Sequence, residues 1–163
     1  MQFTRPVGRV AELGSLALTM RTNVSFRHPA EFVAVSDEDG ILAVRGAQWF
    51  VSLLRHVPDL QIDEELYQED WGVVIFARRA QKKFWIGLSM WPDGEHSWLA
   101  HCHHGSSAWL QWMSSSGKSE LQRLVSDVHS VLASEPAVSN IVWYDESQMR
   151  KAQPDGFTTP VEG

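Results

Sequence analysis

The chain has 163 residues, 44% hydrophobic and 21% charged, with a formal net charge of −6 at pH 7. A chain of this length suits one domain that buries roughly 70% of its unfolded surface, so folding needs neither metal nor disulfide, and the composition excludes a disordered chain. The acidic balance argues against a general nucleic-acid or anionic-membrane role, since both need a cationic surface. Eight tryptophans are several times the usual share and imply a thick aromatic core, an aromatic surface, or both. The lone Cys102 excludes an intramolecular disulfide and fits a reducing, cytoplasmic setting. Residues 1–10 lack an apolar stretch behind their two arginines, and 16–20 is too short for one, so neither a signal peptide nor a membrane span is expected.

Along the chain, Leu16, Leu18, Met20, Thr22 and Val24 alternate with Ala17, Thr19, Arg21 and Asn23, the period of a strand with the first set buried and the second wet. Arg27-His28-Pro29 breaks that ladder. Residues 36–46, rich in acid and flanked by short apolar runs, fit either a hairpin or a helix start. Trp49, Phe50, Leu53, Leu54 and Val57 recur at three and four and predict a helix over 47–57, stopped by Pro58. Three β-rich runs follow, at 71–79, 84–91 and 96–103, separated by Ala80-Gln81 and Pro92-Asp93-Gly94, and they form an antiparallel meander. Residues 108–113 are a candidate fourth strand. Ser119 with Gln122 fits a capping box for a second helix striped by Leu121, Leu124, Val125, Val128, Val131 and Leu132 and stopped by Pro136. Residues 141–144 make a last strand.

The expected architecture is therefore one α+β domain over 1–146, an antiparallel sheet with two helices on one face. Such a two-layer sandwich has a roughly ferredoxin-like character. A polar tail with prolines and glycines occupies 147–163.

His101-Cys102-His103-His104 offers every ligand type a transition metal favours within four residues. On a strand, His101 and His103 share one face, so a zinc-like ion needs a third ligand from elsewhere, with Glu69, Asp70, Glu95 and His96 the candidates at neighbouring strand ends. An ion held there with an open position would support metal-dependent hydrolysis. The competing reading needs no cofactor: Cys102 packs inward as an inert apolar side chain and the imidazoles are solvated. Nucleophile-elbow, phosphate-loop, dinucleotide and Cys-x-x-Cys motifs are all missing from the sequence.

The strand period also predicts an aromatic face. With Phe84, Ile86, Leu88 and Met90 turned to the helices, Trp85 and Trp91 turn outward, joined by His101 and His103 of the next strand. Aromatic rings and imidazoles on a flat sheet make a platform for a protein partner or a second copy of the chain. Arg78, Arg79, Lys82 and Lys83 give the neighbouring hairpin a basic tip, best explained as a solvated turn in an acidic protein, and nucleic acid is not the expected partner. Glu64, Glu65, Glu69 and Asp70 form an acidic approach to the strand at 71.

Glu69-Asp70-Trp71-Gly72, followed after a turn by Phe84-Trp85-Ile86-Gly87, resembles a pattern in small stand-alone bacterial proteins of unassigned function. Some proteins of that build are immunity proteins that neutralise a toxin. The resemblance implies a non-enzymatic interaction module of immunity or adaptor type, whereas the histidine cluster on its own would imply a hydrolase.

Overall fold

The computed structural model describes residues 20–29, 43–91, 96–105, 115–149 and 156–161. They form an α+β arrangement of six strands and three helices. The strands are β1 (Asn23–Arg27), β2 (Gln61–Glu69), β3 (Gly72–Arg79), β4 (Lys82–Met90), β5 (Ser97–His104) and β6 (Ser139–Tyr144). The helices are α1 (Val44–Leu54), α2 (Ser115–Ser134) and the short α3 (Glu146–Met149). Every strand pair is antiparallel, in the order β2-β3-β4-β5-β1-β6. The meander expected from the three β-rich runs is β3, β4 and β5, and β1 ends at Arg27 before Pro29 as its ring requires.

The sheet is larger than a ferredoxin-like one, chiefly because of β2. Its sequence, Gln-Ile-Asp-Glu-Glu-Leu-Tyr-Gln-Glu, lacks strand-forming bias, yet it is the edge strand, where charges and an irregular register between Ile62 and Leu66 deter pairing with another chain. The acidic run is thus the strand itself, and Asp70-Trp71 is the turn into β3. The candidate strand at 108–113 and most of the ambiguous stretch at 36–46 lie outside the described residues.

Side chains of one parity make the core: Val24 and Phe26 of β1, Val73, Ile75 and Ala77 of β3, Phe84, Ile86 and Leu88 of β4, Trp98, Ala100 and Cys102 of β5, and Trp143 of β6. Onto them pack Ala47, Phe50, Val51 and Leu54 of α1 and Leu121, Leu124, Val125, Val128 and Leu132 of α2. The α1 stripe follows the predicted residues, but the helix starts and ends three positions early because Val44 already enters it. Phe26, Trp49 and Phe50 form a ring cluster with centroids 6.0–6.2 Å apart, and His28 sits 4.4 Å from the Trp49 ring. Between the sheet and α2, Trp143 Nε1–H donates to His129 Nδ1 at 3.1 Å.

The expected wet face of the first strand is corrected. Arg21 and Asn23 are 1% and 2% exposed, Arg21 because it packs against residues 157–160 and Asn23 because it is bonded between His101 and Tyr144. Residues 156–161 return along β6: Trp143 and Phe157 exchange backbone hydrogen bonds of 2.7 and 2.9 Å, and Arg21 N–H donates to Pro160 O at 2.9 Å. The Arg21 guanidinium lies 3.5 Å from the Phe157 ring centroid.

Gly46 decides how deeply α1 seats. A Cβ there would stand 2.3 Å from Cη2 of Trp98, the far end of a ring locked in the core. Gly46→Ala is therefore expected to destabilise the protein by about 1–3 kcal/mol through overpacking, although alanine is the better helix former. Urea unfolding checks this through a lower midpoint at unchanged slope, and an unchanged midpoint would show that α1 does not rest on Trp98.

Candidate binding face

The opposite parity makes the second face, and two registered rows cross it. Phe76 of β3, Trp85 of β4 and His103 of β5 stand side by side in one row. Tyr67, Val74, Gly87, His101, Asn23 and Tyr144 form the next, spanning all six strands. Neighbouring strands lie about 4.8 Å apart, so rings on adjacent strands meet face to face. Trp85 and His103 do so, with centroids 4.2 Å apart and planes 21° from parallel, and His101 lies 6.3 Å from His103. Tyr67, from the second row, leans diagonally onto the first with its ring edge-on to Phe76 at 5.0 Å.

The break in the second row is Gly87. A Cβ there would fall 2.7 Å from Cη2 of Trp71 and 3.2 Å from the Trp85 ring, so the missing side chain lets Trp71 fold from its turn onto the sheet. Trp71 meets His101 edge-to-face at 6.5 Å. Of the predicted set, the structure brings Trp85, His101 and His103 together. Trp91 belongs to a different part of the face, stacked on Tyr144 at 6.4 Å, and between them Leu99 is buried. Trp85 and Trp91 are half-buried rather than open, and the two most exposed large rings among the described residues are Trp71 at 45% and Tyr67 at 43%. The sequence pattern points to neither as an exposed ring, since it sets Trp71 at the start of a strand and gives no sign of Tyr67 among the acidic residues before it. The lone glycine within the β-rich run at 84–91 was the available signal.

Electrostatically, the platform is neutral at its centre and acidic around it. His101 Nδ1–H donates to Asn23 Oδ1 at 2.6 Å, and Asn23 Nδ2–H in turn reaches Tyr144 O at 3.4 Å. Burial, and then the neighbouring His103, push the His101 pKa down to about 4 against the opposing pull of Glu146. His103 is lowered by burial as well. Both imidazoles are therefore uncharged at pH 7. Glu65, Glu69 and Asp70 are exposed along the β2 edge, and Arg78 is held by Asp63 at 3.0 Å. A cleft of about 170 Å³ lined in part by Phe76, Arg78, Lys83 and Asp63 continues the aromatic row toward the hairpin tip.

For chemistry the set is poor. Cys102 is fully buried and its thiol is pushed up to about 12, so it keeps its proton and is no nucleophile. His101 and His103 do share a face, but among the described residues no three His, Cys, Asp or Glu side chains cluster around a common point, and Glu95 lies outside those residues. No described helix is long and apolar enough to cross a membrane. The chain matches no family model, no curated protein and no solved structure.

Proposed function

We propose that the chain is a non-enzymatic interaction module whose second sheet face captures a protein partner in the cytoplasm, in the manner of an immunity or adaptor protein. The observation that carries this reading is the ring assembly Trp71, Tyr67, Phe76, Trp85, His101 and His103, laid across four strands with two large rings held out toward solvent. Rigid aromatic anchors on a sheet supply contact area at little entropic cost. The acidic β2 edge steers a basic partner and discourages an acidic one. On this reading the two helices cover one side of a two-layer sandwich and leave the other side for recognition. The segments that carry the resemblance to small bacterial proteins, Glu69–Gly72 and Phe84–Gly87, supply Trp71, Trp85 and the glycine between them.

Affinity capture from a bacterial lysate with the wild-type chain and with Trp71→Ala/Trp85→Ala as baits tests the proposal. Each Trp lost from a hot spot weakens binding about thirtyfold or more, so a partner held by the wild type should be absent from the double variant at equal thermal stability. Identical capture by both baits sinks the reading. Light scattering separates the homodimer, in which the wild type has twice the mass of the chain and the double variant has the mass of one.

A further inference from the structure

The helix-covered side of the sheet holds a second polar group that the binding face does not use, at the end where β3 turns into β4. Arg79 is 3% exposed, and it reaches Asp127 of α2 through Nη2. Its Nε and Nη1, three N–H donors between them, have no hydrogen-bond partner among the described residues. His104, 6% exposed, lies against Phe84 at 5.6 Å and has no partner on either ring nitrogen among the described residues. Lys82 stands between the two: it is registered directly opposite Arg79, and it is two residues along the same face from Phe84, the register partner of His104. Its positive charge is felt at His104. Cross-strand neighbours of this kind lie about 5 Å apart and diagonal ones about 7–8 Å, within reach of Arg and Lys side chains. The hydrogen bond from Gly105 N–H to Lys83 O, 2.8 Å, holds the end of β5 against the start of β4 and keeps the three residues together.

Buried donors are nearly always bonded, and a half-satisfied buried guanidinium is costly unless something completes it. Among the described residues Asp127, bonded to Arg79, is the carboxylate paired with this group of two cations and an imidazole, so the missing partner is an acceptor and carries negative charge. Donors arriving from three adjacent strands exceed what a planar carboxylate takes, and they suit an oxyanion with acceptors in several directions. From these placements we infer that Arg79, Lys82 and His104 form a binding site for a phosphate-class oxyanion, free or as the phosphoryl group of a small molecule. It lies on the other side of the sheet from the aromatic platform and is independent of it.

The test is calorimetric titration of inorganic phosphate into the full chain, with potassium chloride holding the ionic strength. One site per chain is expected, with affinity reduced about tenfold in Lys82→Met, whose half-buried side chain can be lost without unfolding the protein. Arg79→Lys, which keeps the charge but loses the fork of donors, should weaken binding similarly. Phenyl phosphate in a parallel titration distinguishes the sources: equal affinity points to the free anion, tighter binding to a phosphorylated organic ligand. Thermal unfolding supplies a second readout, a rise of about 5 °C at saturating phosphate in the wild type that shrinks in Lys82→Met. An equal rise in both proteins would be a general salt effect, and that result, or a titration without a saturable site, overturns the assignment.

Discussion

Acidification from pH 7.5 to pH 4.5 is expected to remove several kcal/mol of stability, before most carboxylates protonate. His101 carries the largest part. Its pKa is about 4 in the folded chain against 6.5 unfolded, so between those values the unfolded chain binds a proton that the folded one refuses. Stability from this group is complete above about pH 6.5, falls as pH drops toward 4, and falls no further below that. At about 1.4 kcal/mol per pH unit the full loss is about 3 kcal/mol, a sizeable share of a typical domain's stability. His28, His103, His104 and His129 are also lowered, each chiefly by burial, and add to the loss in the same direction. His129 has a specific reason, since Nδ1 must stay bare to accept from Trp143. Asp145, held below the usual carboxylate range first by Ser147, acts in the same direction but in a lower window: it stabilises above its unfolded value of 3.8 and loses that contribution only at lower pH. Urea midpoints at pH 7.5, 6.5, 5.5 and 4.5 check the prediction. His101→Gln should flatten the slope by the largest single amount, and a wild-type profile level down to pH 4.5 would falsify the buried, neutral placement of the imidazoles.

The same burial explains what was legible in the sequence. Strands β3 to β5 and the stripe of α2 were readable because their periods are carried by apolar residues that pack on one side only. The outward parity of Trp85, His101 and His103 followed from the same rule, and the structure brings those three together. Edge strand β2 was hidden by its own chemistry, because a strand that must avoid foreign partners is written in charges. Trp71 was hidden by tertiary context: only the absence of a Cβ at Gly87, on the second strand after it, makes room for its ring. Arg21 looked wet because alternation cannot reveal that distant residues will cover a second face, and Arg79 looked like a solvated turn because the approach of α2 has no local signature. The six tryptophans among the described residues divide accordingly. Trp49, Trp98 and Trp143 pack with the core, and Trp71, Trp85 and Trp91 belong to the other face.

Removal of residues 156–163 is expected to lower stability by about 2–4 kcal/mol, a large effect for a stretch whose composition reads as a polar tail. Three backbone hydrogen bonds join it to the sheet, two with Trp143 and one with Arg21, and Arg21 Nη1–H also donates to Thr159 O at 3.2 Å. At about 0.5–1.5 kcal/mol each, these account for most of the loss, and the Phe157 ring under the Arg21 guanidinium adds the rest. Packing makes the fit specific, since a Cβ on Gly156 would stand 2.0 Å from Cγ1 of Val142. The damage should spread inward from Arg21, which is buried and would lose the ring and two of its partners while keeping its charge. Urea unfolding of the truncated chain beside Phe157→Ala separates the contributions: the single substitution should cost about 1 kcal/mol and leave the backbone pairs in place. Truncation also bares the outer edge of β6, and an unpaired strand edge is a template for another chain, so the shortened protein should gain mass in light scattering as concentration rises. A truncated chain with the full-length urea midpoint would show that 156–161 lies on the sheet without holding it.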